Sequence, residues 1–186
     1  MSCVTLHVKK DHLHRQRKGE KKMTKWPKDT MKAKVAFYGD PRGAHGVNPT
    51  WYKANIVRVS CPWRLYFAGK EVKSVPIHKH CADALRIAFK EIWEACDKSQ
   101  KTVEKYGLDD YGGTFAYRLI RGSATVLSNH SFAIAIDLAP AQNPLGRSKG
   151  KMPQLVIDAF KHQGARWGGD YRGRKDPMHF EFVSPA

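Results

Sequence analysis

Residues 128–137 of this 186-residue chain read SNHSFAIAID, and their spacing restricts how the chain can fold. The stretch holds a histidine, His130, seven residues before an aspartate, Asp137. Residues seven apart on a regular strand face opposite sides and lie about 23 Å apart, and on a helix they share a face but lie about 10 Å apart. If both side chains bind one metal ion, the chain between Ser131 and Ile136 must therefore bend.

A second acidic residue and histidine, Asp176 and His179, lie later in the chain within the stretch DPMH. A catalytic zinc site takes three protein ligands from His, Asp, Glu or Cys and leaves a fourth position for water. Together with His130 and Asp137, His179 completes such a ligand set for one Zn²⁺ ion. Pro177 disfavours a helical conformation at Asp176, and a carboxylate held on a turn beside the site is suited to general-base catalysis.

The residues that follow His179 alternate in character, as expected for a strand over residues 179–183. Phe180 and Phe182 are predicted to face the core, while Glu181 shares the opposite face with His179. Glu181 would then lie near the metal, where it could accept a hydrogen bond from the N–H group of a ligand.

The same residues also have ordinary structural explanations that involve no metal. His130 would be a hydrogen-bonded histidine of the core, Asp137 a turn former before Pro140, and His179 a surface residue of a strand. The two interpretations differ in geometry, because only a metal site requires the three side chains to converge.

Helices and short strands are predicted to be interspersed along the chain. Apolar residues recur at three- and four-residue intervals between Cys81 and Cys96, which predicts the main core helix, ending near residues 101–106. A second helix is predicted between Pro153 and Gly164. Strands are predicted at residues 55–60, at 65–75 as a hairpin with its turn at 68–70, at 114–120 and at 179–183. Irregular segments are predicted at residues 26–51, 109–113 and 140–151.

This mixture favours the α+β class over a strictly alternating α/β arrangement. We expect a single compact domain with a small, mainly antiparallel sheet, flanking helices and long loops. A chain of 186 residues is long enough to bury a core that supports a catalytic cleft.

The two stretches resemble the motifs of a known family. SNHSFAIAID is similar to the SxHxxGxAxD motif of the zinc D-alanyl-D-alanine carboxypeptidase and L-alanyl-D-glutamate endopeptidase family (VanY-like), and DPMHFEF is similar to its terminal (D/E)xxH element. The similarity covers about residues 24–184 and is greatest to the phage endolysin members. It implies zinc ligands at His130, Asp137 and His179. It also implies that Asp176 is the catalytic base and that the fold is of the Hedgehog/D-Ala-D-Ala-peptidase-like type.

An upstream arginine in that family stabilises the carbonyl oxygen under attack. Arg118 is the first candidate for this role and Arg121 the second, because the spacing to this arginine varies. For three other residues two interpretations stay open. Trp167 and Tyr171 either line the cleft or pack in the core, and Ser128 either orients a ligand or caps a turn.

The sequence departs from the motif at one position, where Ala133 stands in place of glycine. If the bend requires a positive φ angle at this position, alanine costs about 1 kcal/mol or more relative to glycine. The substitution affects the local backbone geometry and removes no ligand.

The resemblance implies hydrolysis of a peptide bond in the stem peptide of peptidoglycan, with the enzyme acting as a monomer in cell-wall lysis. L-Ala-D-Glu, D-Ala-D-Ala and cross-bridge bonds all stay open as the bond that is cut. Two alternatives belong to other functional classes: a non-catalytic module that binds wall peptides, and a basic nucleic-acid-binding protein. The second has the charge but lacks a zinc-finger, RRM or helix-turn-helix pattern, so no specific nucleic-acid partner is expected.

The net charge of +16, from 33 basic and 17 acidic residues, predicts attraction to an anionic partner, which could be nucleic acid, a membrane surface or an acidic cell-wall polymer. Of these, the resemblance implies the anionic polymers of the cell envelope. Residues 1–23 are expected to form a mobile basic arm, either a solvated tail or a binding arm, and residues 24–186 the zinc peptidase domain. No apolar run is long enough for a transmembrane helix, and no signal peptide is expected. Synthesis in the cytoplasm and action on the wall after membrane permeabilisation are implied by the endolysin resemblance.

Overall fold

Helices and antiparallel strands are interspersed along the chain, which confirms the predicted α+β class. The computed structural model describes residues 26–148 and 150–186, and the predicted basic arm, residues 1–23, lies outside them. The helices are α1 (Met31–Tyr38), α2 (Pro49–Asn55), α3 (Ala82–Ala95), α4 (Gln100–Lys105) and α5 (Gln154–His162). The strands are β1 (Arg42–Gly43), β2 (Gly46–Val47), β3 (Ile56–Phe67), β4 (Lys70–His78), β5 (Tyr111–Gly113), β6 (Ala135–Leu138), β7 (Arg166–Trp167) and β8 (His179–Glu181).

A four-stranded sheet with the order β5-β6-β8-β7 positions the candidate site. Its neighbouring strands are all antiparallel, and its two central strands, β6 and β8, each carry a predicted ligand. The pairs β1–β2 and β3–β4 form two further sheets of two strands each.

The predicted hairpin is confirmed and is longer than expected. Its turn contains Ala68 and Gly69, whose φ angles are +48° and +77°, as the tight hairpin turns that match strand twist require. β3 continues without a break from the strand predicted at residues 55–60. The pairing register shifts between Ser60 and Leu65, in a segment that contains a proline, which cannot donate a hydrogen bond to the ladder.

The core lies between α3, α5 and the sheets. α3 packs on both β3 and α5, and it turns an apolar face inward. The buried residues of this helix are Ala82, Ala84, Leu85, Ala88, Phe89 and Ile92. Phe160 of α5 stacks on Phe180 of β8, with ring centroids 4.2 Å apart. Because Phe180 faces the core, its neighbours His179 and Glu181 face the opposite side of the strand, as predicted.

The segment of residues 26–51 is more regular than predicted, because it contains two short helices. The Thr30 side chain accepts a hydrogen bond from the Ala33 amide and caps α1. Asn48 caps α2 in the same way, and Pro49 occupies its first position, where a missing N–H group has no cost. The prediction of an irregular segment at residues 26–51 was therefore wrong.

The main core helix ends earlier than predicted, at Ala95 rather than near residues 101–106. Asp97 and Lys98 adopt positive φ angles of 54° and 53°, which break the helix. Ser99 then caps a separate helix, α4, by accepting a hydrogen bond from Thr102.

The strand predicted at residues 114–120 is absent from the described structure, and only Leu119 forms an isolated bridge, with Leu127. The backbone groups of this segment instead bond to the 3₁₀ turn at residues 129–132. The amide of Ala116 donates to the His130 carbonyl, and the amide of Arg118 donates to the Ser131 hydroxyl. The loop predicted at residues 109–113 is also partly wrong, since it contains β5.

The two ends of the described chain lie beside each other. Lys28 and Ser184 form a parallel bridge, and the Ser184 amide donates to the Pro27 carbonyl at 2.8 Å. The segment that precedes α1 is thereby held next to the end of β8. Within residues 26–148 and 150–186, no helix combines the length and apolar character needed to cross a membrane.

Candidate metal centre

The stretch SNHSFAIAID folds back on itself, as its spacing requires. Residues Asn129–Phe132 form a 3₁₀ turn, which ends at Ala133 with φ 52° and ψ 43°, in the left-handed region. β6 begins two residues later, at Ala135. The predicted bend between Ser131 and Ile136 is therefore present, and it does place a positive φ at the alanine that replaces the motif glycine.

Ser128 caps this turn, since its hydroxyl accepts a hydrogen bond from the His130 amide at 3.3 Å. Of the two roles considered for Ser128, capping is the one that this hydrogen bond fulfils.

The side chains of the three predicted ligands converge beside the paired strands β6 and β8. Asp137 of β6 lies directly opposite His179 of β8, and its Oδ1 atom is 2.8 Å from Nδ1 of that histidine. Its other oxygen, Oδ2, lies 3.2 Å from Nε2 of His130. One ligand atom from each of the three residues lies within 4.8 Å of the other two. The geometry therefore favours the metal interpretation over three unrelated structural roles.

The second nitrogen of each imidazole is held by a protein acceptor. Nδ1 of His130 lies 3.1 Å from the Thr114 carbonyl oxygen, to which it donates. Nε2 of His179 lies 3.2 Å from Oε2 of Glu181. These two hydrogen bonds leave Nε2 of His130 and Nδ1 of His179 directed at Asp137, the tautomers that a shared metal ion requires. Glu181 thus occupies the position predicted for it.

The charged groups of the centre shift one another's pKa values. Burial opposes the ionised form of Asp137, but hydrogen bonds from His130 and His179 outweigh it and hold its pKa below the usual range. Burial likewise opposes the charged form of His179, while Asp137 and Glu181 raise its pKa. A carboxylate and two imidazoles are ligand types that zinc takes in proteins.

Asp176, the predicted base, lines the same cleft as the three ligands. Its Oδ1 atom is buried and has no hydrogen-bond partner among the described residues. Burial raises the pKa of this carboxyl group. Its backbone is held by Gly168, whose carbonyl oxygen accepts from the Asp176 amide at 3.0 Å. A side chain at Gly168 would meet the Asp176 carbonyl oxygen at 2.3 Å, so only glycine allows this approach.

The cleft around these residues has a volume of about 490 Å³ and is rich in arginine. Arg118, Arg121 and Arg174 line it, and among the described residues none of the three forms an ion pair with a carboxylate. Both arginines considered for the oxyanion role are therefore at the cleft.

Tyr171 and Trp167, the two aromatic residues predicted either to line the cleft or to pack in the core, differ in position. Tyr171 lines the cleft, with its ring centroid 6.4 Å from that of His179. Trp167 lies under the loop that carries the base, where its indole N–H donates to the Pro177 carbonyl oxygen at 2.8 Å. Trp167 therefore contributes to the support of the cleft and not to its lining.

Two residues that line the cleft, Arg166 and Asn129, were not predicted from the sequence. Arg166 lies 3.2 Å from Glu181 and 3.3 Å from Asp29, which comes from the start of the described chain. Asn129 lies inside the motif, where its position between Ser128 and His130 is the one available signal, and it donates to Glu181 at 2.6 Å.

Comparison of the sequence with models of known protein families gives evidence that is independent of the geometry of the site. Residues 121–182 match a family model described as D-alanyl-D-alanine carboxypeptidase, and this region contains all three candidate ligands and the candidate base. The match supports the broad peptidase family and a hydrolase of the kind that acts on peptidoglycan. No solved structure gives a significant match to the chain.

Proposed function

We propose that this protein is a zinc-dependent peptidase that hydrolyses a peptide bond in the stem peptide of peptidoglycan. The observation that carries the proposal is the convergence of His130, Asp137 and His179, each of which offers one ligand atom within 4.8 Å of the other two. Asp176 lines the same cleft, as a general base for hydrolysis requires.

The residues present fit a zinc ion. Two imidazole nitrogens and one carboxylate oxygen are the ligand types of catalytic zinc sites, which keep a further position open. Both imidazoles have their remaining nitrogens engaged, by Thr114 and Glu181, as is usual for histidines that bind metal. When bound, zinc supplies a Lewis acid that polarises the scissile carbonyl group and acidifies a water molecule.

The side chains around the centre have distinct roles in the proposed reaction. Asp176, which lines the cleft, accepts the proton of the attacking water and delivers it to the departing amine. Arg118, or Arg121 in its place, stabilises the negative charge that develops on the carbonyl oxygen. His179 and Asp137 stay fixed by the pairing of their strands, so little reorganisation is needed during the reaction.

The unpaired arginines support an anionic peptide as the substrate. In D-Ala-D-Ala the residue after the scissile bond carries a free α-carboxylate. The same is true of L-Ala-D-Glu, because the stem peptide continues from the γ-carboxyl group of D-Glu. Arg174 lines the cleft without a carboxylate partner among the described residues, and we expect it to bind this group.

A role as a phage-type endolysin is part of the same proposal. The net charge of +16 would hold the enzyme near anionic envelope polymers, in an interaction that weakens as salt is raised.

The proposal is tested by incubating the purified protein with peptidoglycan, with and without a chelator, and measuring new amino termini. We expect release that the chelator abolishes and added zinc restores. Mass analysis of the fragments identifies the bond that is cut. Binding of peptidoglycan without any release would instead indicate a non-catalytic wall-binding module, and chelator-resistant release would contradict a metallopeptidase.

A further inference from the structure

A lysine is buried behind the candidate metal centre. Lys34 of α1 is only 1% exposed, and its ammonium group lies 2.7 Å from Oδ1 of Asn129 and 3.0 Å from Oδ1 of Asp29. Lysine is rarely buried to this extent unless it is paired, because an isolated ammonium group loses its hydration. The position of this charge therefore needs an explanation beyond the packing of α1.

The ammonium group of Lys34 determines the orientation of the Asn129 side chain. An ammonium group only donates hydrogen bonds, so the amide oxygen of Asn129 must face it. The amide nitrogen then donates to Oε2 of Glu181 at 2.6 Å, and at a longer distance of 3.4 Å to Oδ1 of Asp29. The Asn129 amide thus accepts a hydrogen bond from the Lys34 ammonium group and donates one to the Glu181 carboxylate.

Glu181 receives this hydrogen bond at the oxygen that contacts the ligand. The residue is 2% exposed, and its Oε2 atom accepts both from Asn129 and from Nε2 of His179. Its other oxygen lies 3.2 Å from the Arg166 guanidinium group. The carboxylate is therefore held by two hydrogen bonds at Oε2, while its Oε1 atom has an ion pair with Arg166 but no hydrogen bond among the described residues. This arrangement keeps Nδ1 of His179 directed at Asp137.

We infer that Lys34 is a positioning residue for the metal centre, acting through Asn129 and Glu181 on His179. The inference rests on the proposed zinc site and extends it. Lys34 and its partner Asp29 lie outside residues 121–182, which match the family model. A segment that precedes the matched region therefore completes the support of a metal ligand.

Replacement of Lys34 by methionine tests the inference, because it keeps the length of the side chain and removes the charge and the donors. Zinc affinity is measured by competition with a chromophoric chelator, and the ligand field by the visible spectrum of the Co²⁺-loaded protein. We expect zinc to bind about tenfold to a hundredfold more weakly, as is typical when the support of a ligand is lost, and the Co²⁺ spectrum to change. The control is Lys90→Met, at an exposed position of α3, which should change neither.

A folded Lys34→Met variant with the zinc affinity and Co²⁺ spectrum of the unmodified protein would overturn the inference. If that variant does not fold, Asn129→Ala decides, because it interrupts the same chain of hydrogen bonds and leaves Lys34 paired with Asp29. Unchanged zinc affinity in a folded Asn129→Ala variant would overturn the inference equally. Failure of the unmodified protein to bind zinc would instead refute the proposed function itself.

Discussion

Asp137 and His179 occupy directly opposed positions on β6 and β8, and this pairing brings their side chains to within 2.8 Å. Successive residues of a strand point to opposite faces of the sheet. A slip of one residue in the pairing would therefore send one of the two ligands to the core side. The stacking of Phe160 on Phe180 opposes such a slip, since Phe180 is packed in the core next to His179.

Replacement of Asp176 by asparagine should abolish turnover without loss of zinc. The amide cannot accept the proton of the attacking water, and general-base catalysis typically contributes about 10²–10⁴-fold. The measurement is kcat on peptidoglycan together with the zinc content of the purified variant. The control is Asp170→Asn, which changes an exposed residue outside the cleft and should leave both kcat and zinc content unchanged. Loss of zinc from Asp176→Asn would mean that base and ligand have been assigned wrongly.

Replacement of Gly168 by alanine should slow catalysis by displacing the base. The new methyl group would lie 2.3 Å from the Asp176 carbonyl oxygen, so the loop that carries Asp176 must move. A misplacement of about 1 Å costs on the order of a hundredfold in rate. Gly173→Ala is the matched control, because a side chain there would meet no atom within 4 Å. Equal kcat values for the two variants would show that the position of Asp176 is not critical.

Replacement of Arg174 by glutamine should weaken binding of substrates that carry the α-carboxylate after the scissile bond. Two soluble stem peptides that differ only in amidation of this carboxylate are compared by kcat/KM. We expect a loss of about tenfold or more for the free carboxylate, the usual scale for a hydrogen bond to a charged group, and little change for the amide. Arg172→Gln, at a residue that does not line the cleft, is the control. An equal loss on both peptides would contradict carboxylate recognition by Arg174.

The left-handed conformation of Ala133 predicts how this position responds to substitution. Ala133→Gly removes the steric cost but adds freedom to the unfolded chain, so the free energy of unfolding should change by less than about 1 kcal/mol. Ala133→Val places a β-branched residue at a positive φ and should cost about 2 kcal/mol or more. Chemical denaturation measures both values. A valine variant as stable as the unmodified protein would show that the bend can adopt another conformation.

The parts of the site that follow from chain geometry were predictable from the sequence. The separation of His130 and Asp137 excluded both a regular strand and a regular helix between two ligands of one metal, and the structure contains the required bend. The alternation after His179 likewise predicted that Glu181 shares its face.

Other features depend on contacts between distant segments and carry no local signal. Lys34 meets Asn129 across 95 positions of sequence, and Arg166 meets Asp29 across 137. The apolar residues at 114–120 resemble a strand, yet their backbone bonds to the turn at 129–132. Tertiary hydrogen bonds therefore decided the structure there, against the local preference.

The bridge between Lys28 and Ser184 holds the first and last described segments of the chain next to each other. A short linker could join residues 26 and 186, and new chain ends could then be opened at the hairpin tip by Gly69, where an added Cβ atom would meet nothing within 4 Å. Such a circular permutant would keep every side chain of the cleft in place while moving the point of attachment for a fused partner to the far end of the β3–β4 hairpin.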